Sequence, residues 1–177
     1  MTEIVLKGGD ELFFHEDIIQ FYNRVMNEWK INSKKIALLL GCSLHKPYSH
    51  SFMHRKIVAM IKKYELDNCI QQYIIGEPLV VCPREWEEVY PAAHYDFPPD
   101  KLEKMGREIF VTRLKKFFEK VRNYHSIFVC FAPNHHKKII FEASKGIFEP
   151  IFIPYNIYKL PILLDTLKRL RGDFNEV

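Results

Sequence analysis

The chain of 177 residues is 47% hydrophobic and 14% aromatic, enough apolar material for one compact core, which excludes a disordered or low-complexity protein. Its net charge of +4, from 26 basic and 22 acidic residues, suits a polyanionic partner without requiring one. The cysteines Cys42, Cys69, Cys82 and Cys130 form no CxxC pair, no signal peptide opens the chain, and no apolar run approaches the ~20 residues of a membrane helix, so a soluble, cytoplasmic protein with reduced thiols is expected.

In chain order, Thr2 to Gly9 reads as a short peripheral strand. His15 to Lys30 carries Ile18, Ile19, Tyr22, Val25, Met26 and Trp29 at helical spacing. Ile36 to Leu40 are five consecutive apolar residues, the pattern of a buried central parallel strand. Gly41 ends that strand, and Cys42 to His50 is a polar loop containing Pro47, which lacks a backbone donor. Ser51 reads as the N-cap of a helix running to about Tyr64. Ile70 to Ile75 is a second strand ending at Gly76, and Leu79 to Cys82 a short apolar segment stopped by Pro83. The stretch from Pro83 to Asp100 holds four prolines and the aromatics Trp86, Tyr90, Tyr95 and Phe97. Long ordered loops of this kind tend to bind ligands.

Lys101 to Tyr124 is a long amphipathic helix, and Ser126 to Ala132 a third strand. Pro133 to His136 reads as a second polar loop at the edge where Cys42 lies, before a helix from Lys137 to Ser144. Glu149 to Ile153 is a fourth strand, and Ile157 to Arg171 a final helix despite Pro161. This alternation predicts a single α/β domain over residues 1–177, with a three-layer, doubly wound, mostly parallel sheet and helices on both faces. Ligands in such sheets bind at the carboxyl ends of the strands, which draws attention to Cys42 and to Asn134-His135.

The order Cys42, three residues, Lys46-Pro47-Tyr48, two residues, Ser51, two residues, His54 resembles the signature of the archaeal archaeosine synthase family. A second block, Pro83-Arg84-Glu85 followed by Glu87 to Asp96, is similar to a later part of the same domain. Gly41 stands where the family usually has proline. The resemblance implies a uracil-DNA glycosylase-like fold, with Lys46-Pro47-Tyr48 where a glycosylase carries its Asp-Pro-Tyr-His element. A lysine in place of the water-activating aspartate removes the general base of glycosidic hydrolysis, which weakens the reading as a DNA glycosylase-like repair protein.

The family reaction adds the amine of free lysine to the nitrile of 7-cyano-7-deazaguanine in transfer RNA. That chemistry implies Cys42 as nucleophile, with Lys46 and His54 in support, because neighbouring cations and a helix N-terminus favour a thiolate. Each has a plainer reading: a strand-end thiol, a solvated cation and a structural histidine. Tyr48 is expected in the pocket wall and Ser51 as a cap at the pocket's edge. Tyr90, His94 and Asp96 either close over a ligand or belong to an ordered surface loop, and Asn134 or His135 would contact substrate. His135-His136 does not frame a metal site, since adjacent residues rarely face one ligand sphere, and neither metal nor cofactor is expected. The implied partners are tRNA or a modified-base nucleoside, lysine as co-substrate, and a separate RNA-binding subunit, with Lys137-Lys138 and Lys168-Arg169-Arg171 as RNA contacts. A non-catalytic nucleobase-binding or tRNA-binding subunit is the alternative.

Overall fold

The computed structural model describes residues 5–172. Its strands are β1 (Leu6–Lys7), β2 (Ile36–Gly41), β3 (Ile70–Gly76), β4 (Val80–Pro83), β5 (Tyr95–Asp96), β6 (Ile127–Phe131) and β7 (Ile151–Phe152). The helices are α1 (Glu16–Asn27), α2 (Phe52–Lys63), α3 (Lys104–Val121), α4 (Asn134–Ser144) and α5 (Leu160–Arg171). Five strands form one sheet in the order β4-β3-β2-β6-β7, parallel except for β4, while β1 and β5 pair separately. Residues 2–4 of the expected first strand lie outside the described residues.

Every residue of β2 is buried, because a strand paired on both edges and covered on both faces has no polar side. Alternation along it assigns the two faces. Ala37 and Leu39 pack into a core with Phe21, Val25, Phe117, Phe118, Ile139 and Ile140, from α1, α3 and α4. Ile36, Leu38 and Leu40 pack against Ile57, Ile61, Leu163 and Leu167, from α2 and α5. The expected three-layer α/β arrangement is therefore what forms.

Local chemistry sets the helix starts that matter for the site. Ser51 Oγ accepts from His54 N–H at 3.4 Å and caps α2, as its position suggests. The buried Asp10 carboxylate accepts from the N–H groups of Glu103 (2.9 Å) and Gly106 (2.7 Å), a cap supplied to α3 from far away in sequence. Pro161 sits in the first turn of α5, where its missing N–H would have no partner.

Two expectations need correction. The apolar segment expected over Leu79 to Cys82 is a real strand, β4, which starts at Val80, takes in Pro83 and is hydrogen-bonded antiparallel to β3. The Pro133 to His136 loop does not exist as such: Pro133 is an N-cap and α4 begins at Asn134. Proline tolerates that place because helix N-termini have unpaired donors anyway. The Pro83 to Asp100 stretch keeps its loop character but contains a turn of 3-10 helix at Arg84–Trp86 and the strand β5. Among the described residues, no helix is long and apolar enough to cross a membrane.

Candidate active site

Three parallel strands deliver three chemical groups to one place. Cys42 follows β2, its N–H bonded to Ile75 O at 2.9 Å. Glu77 follows β3, and His136 lies in the first turn of the helix that follows β6. His136 Nε2 is 2.8 Å from Glu77 Oε1 and 3.6 Å from Cys42 Sγ, and Sγ is 3.7 Å from the same carboxylate oxygen. One imidazole nitrogen thus faces both thiol and carboxylate, a triangle rather than a linear relay. His136 Nδ1 is buried with no hydrogen-bond partner among the described residues.

Glu77 and His136 are each 1% exposed, so neither charge is stable there without the other. Burial alone would lower the His136 pKa, but the Cys42 sulfur and the Glu77 carboxylate outweigh it and push it up to about 10. Burial would raise Glu77, and the hydrogen bond and charge of His136 reverse this, leaving it below its usual value. Two glycines leave the room for this packing. A Cβ on Gly41 would come within 2.7 Å of His136 Nδ1, and one on Gly76 would collide with Cys42 Sγ.

A second polar cluster holds the loop that carries Cys42. His54 Nε2 donates to Gly41 O at 2.7 Å, and its Nδ1 accepts from Arg84 at 2.9 Å. Burial and the Arg84 guanidinium lower the His54 pKa to about 4, so the ring is neutral. Arg84 also donates to Gln72 Oε1 at 2.8 and 2.9 Å and to Glu87 Oε1 at 3.2 Å, and that Glu87 oxygen accepts from Ser49 N–H at 2.8 Å. Both ends of the loop, Gly41 and Ser49, are therefore tied to Arg84.

Between these clusters lies Lys46, its ammonium 4.4 Å from the centre of the Tyr95 ring. Burial lowers its pKa, opposed by the charges of Cys42, Asp96 and Glu77. Tyr48 is 1% exposed and its hydroxyl lies 2.7 Å from that of Tyr95, making the pair a buried wall. Beside the site, a cavity of about 430 Å³ is lined by Pro133, Asn134, Lys137 and Tyr155. Burial chiefly, and then the charge of Cys42, raise the Tyr155 pKa, which ties this cavity electrically to the thiol.

The structure brings together Cys42, Lys46, Tyr48 and Asp96 of the sequence-based set and puts Asn134 on the adjoining cavity. Ser51 serves as a cap, and His54 as a strut with both nitrogens committed. Tyr90 is drawn to α1, where its hydroxyl donates to Asp17 at 2.8 Å, and His94 packs on the Tyr90 ring. His135 is exposed on α4, and its neighbour His136 is the one turned inward. Sequence reasoning missed Glu77, Arg84 as a strut, Tyr155 and His136. His136 was legible at helical spacing with the buried Ile139, Ile140 and Ala143, and Glu77 as a lone carboxylate in the apolar run from Ile74 to Val81.

The Cys42, Glu77 and His136 donor atoms all lie within 4.8 Å of one another, a set that could hold a metal ion. The 2.8 Å from Nε2 to Oε1 is a hydrogen bond, tighter than the ~3.3 Å that ligands at zinc distances would keep around a tetrahedral ion. Metal would have to open that bond.

The fold and site define an α/β domain with a cysteine, a histidine and a carboxylate gathered at the carboxyl edge of a parallel sheet. The chain belongs to the family described as domain of unknown function DUF5591, which matches residues 18–168. It is 30% identical over 170 residues to archaeosine synthase subunit alpha of Thermoplasma acidophilum, covering 96% of this chain and 31% of that protein. It is 38% identical over 92 residues to archaeosine synthase subunit alpha of Methanosarcina acetivorans, covering 52% of this chain and 14% of that protein. The family resemblance carried by the Cys42 to His54 motif is thus upheld, and the chain spans about a third or less of these relatives' length. The crystal structure of AF0587, a protein of unknown function, superposes with a TM-score of 0.61 at 22% identity, covering 84% of this chain and 48% of that one. That likeness concerns the fold alone.

Proposed function

We propose that this domain acts in tRNA modification as an archaeosine synthase-like transferase of the cytoplasm, working as one subunit or part of a larger enzyme with a separate RNA-binding partner. The carrying observation is the contact of Cys42 Sγ with an imidazole whose pKa is pushed up to about 10. A nitrile needs a nucleophile at carbon and a proton at nitrogen, and the pair supplies both.

In this reading the Cys42 thiolate adds to the nitrile carbon of 7-cyano-7-deazaguanine, and the His136 imidazolium gives its Nε2 proton to the nitrile nitrogen, forming a thioimidate. The amine of lysine then attacks that carbon, the carbon–sulfur bond breaks, and the amine's proton returns to His136. The product is an amidine, and the thiolate is regenerated. Glu77 accepts from Nε2–H while the ring is protonated, before that proton leaves and again after it returns. Lys46 keeps positive charge beside the sulfur, and Asp96 keeps a countercharge beside Lys46. Tyr48 and Tyr95 wall the base, and the cavity at Asn134 and Tyr155 admits the amine.

The test is mass spectrometry of the intact chain mixed with 7-cyano-7-deazaguanine. A covalent adduct at Cys42, discharged by lysine and absent in Cys42→Ser, is expected. Full lysine transfer by Cys42→Ala, with the RNA-binding partner present, would sink the covalent route and leave a pocket that merely positions the amine. Binding of the base without adduct or transfer would favour the non-catalytic binding subunit.

A further inference from the structure

The outer helices differ in how their charges are partnered. On the layer of α1, α3 and α4, bases meet acids: Arg24 pairs with Glu28 at 3.6 Å and Arg107 with Glu142 at 2.7 Å. The exposed face of α3 also mixes Lys115 and Lys116 with Glu108 and Glu119. On the opposite layer α5 pairs Arg169 with Asp165 at 3.0 Å, but α2 has no acidic residue at all. Its exposed positions are Phe52, Arg55, Lys56, Ala59, Lys62 and Lys63, whose spacing puts them on one stripe of the helix. The buried face of the same helix is His54, Ile57 and Ile61.

The stripe starts at the site and runs away from it. Ser51, which caps α2, ends the loop that begins at Cys42, and Phe52 beside it is 54% exposed. Leu44, within that loop, is 77% exposed. At the far end Lys63 and Lys168 both lie over the Tyr64 ring, at 5.4 and 4.8 Å, and Arg171 donates to Tyr64 O at 2.9 Å. Basic charge therefore passes from α2 onto the end of α5. Along the axis, Phe52 to Lys63 spans about 16 Å.

A row of cations of that length, with no acidic partner among the described residues and with exposed apolar groups where it meets a reactive pocket, has the form of a strand-tracking surface: phosphates along the helix, a base stacked at its mouth. We propose that the outer face of α2, continued by Lys168 on α5, is an RNA backbone-binding surface that leads one nucleotide to the Cys42 pocket. Phe52 is the stacking platform at its entrance. This deepens the tRNA reading above and rests on it for the identity of the polymer.

The experiment uses the full chain, an unmodified tRNA transcript as probe, and binding measured across a salt series. The fourfold variant Arg55→Gln, Lys56→Gln, Lys62→Gln, Lys63→Gln keeps helix propensity and lies wholly on the surface. It should weaken binding at least tenfold at low salt and flatten the log affinity against log salt slope by about three to four, since each phosphate contact contributes about one. Phe52→Ala should weaken binding about tenfold without changing the slope. The control Lys115→Gln, Lys116→Gln on α3 should stay within twofold of the unaltered chain. Equal losses in both charge variants, or an unchanged slope in the α2 variant, would overturn the proposal. So would loss of binding to phosphatidylserine vesicles with tRNA binding intact, which would make the stripe a membrane-facing one. Labelling of Cys42 by free 7-cyano-7-deazaguanine should survive the α2 substitutions. Its absence in the unaltered chain would refute the nitrile chemistry and leave the RNA surface standing.

Discussion

His136 and His54 lie on either side of the same loop, both buried, at 1% and 3% exposure, yet their proton affinities are driven in opposite directions. His136 faces a carboxylate and a sulfur and is pushed up to about 10, while His54 faces an arginine and a carbonyl and is pulled down to about 4. Burial penalises the charged form of both, so burial alone does not separate them. The difference lies in partners. A ring between acceptors can carry and release a proton, whereas a ring between a cation and a carbonyl is locked as a neutral strut. Of the two, only the first is a cation at neutral pH, with a proton to give as an acid.

The largest expected effect breaks the first ring. His136→Asn should slow alkylation of Cys42 at pH 7, and any lysine transfer, by at least about a hundredfold, the usual scale for losing an acid–base partner. Glu77→Gln should cost less, because the imidazole stays but its orienting charge does not. Iodoacetamide kinetics on Cys42, with Cys82 and Cys130 as buried references, would read both. If His54→Asn were the slower of the two histidine variants after correction for unfolding, the assignment of roles would be reversed.

The next effect breaks the second ring's support. Arg84→Met leaves Gln72, Glu87 and His54 without their buried donor, a loss on the order of 3 kcal/mol in urea unfolding. At a temperature where the variant stays folded, its alkylation rate should fall less than that of His136→Asn. A larger fall would mean that Arg84 acts on the sulfur directly.

A pH series sharpens the contrast. His136 has a folded pKa above its ordinary value of 6.5, so its contribution to stability is complete below about 6.5 and is lost as pH rises towards about 10. His54 has a lowered pKa, so stability falls as pH drops from about 6.5 towards about 4, where the unfolded ring takes a proton that the folded ring refuses. Unfolding midpoints should therefore decline on both sides, with His136→Asn flattening the alkaline limb and His54→Asn the acid one. The smallest effect is at the cap: Ser51→Ala should cost about 1 kcal/mol and leave alkylation nearly unchanged.

Much of this architecture could be read from residue patterns. The all-apolar run at Ile36 to Leu40 could only be a covered central strand, and the helical spacing after Ser51 and Lys101 placed α2 and most of α3. Cys42 was legible as a site residue from its place at the carboxyl end of the central strand, and Lys46 from the family motif that the two residues share. Local sequence therefore determined the strands, the helices, the cap at Ser51 and the loop that carries the thiol.

Tertiary structure alone decided which distant groups meet that thiol. Glu77 and His136 are 59 residues apart and reach each other only because β3 and β6 both pair with β2 and release their chains at the same edge. Whether His135 or His136 enters the site depended on one residue of helix phase, and a proline at the boundary left that phase open until α4 packed through Ile139 and Ile140. Tyr90 was drawn off by Asp17 of α1, 73 residues away, and Tyr95 took its place beside Tyr48. Periodicity records which way a side chain faces within its own element. The proton affinity of a buried histidine depends on what the other elements bring against it, and that is set by the sheet.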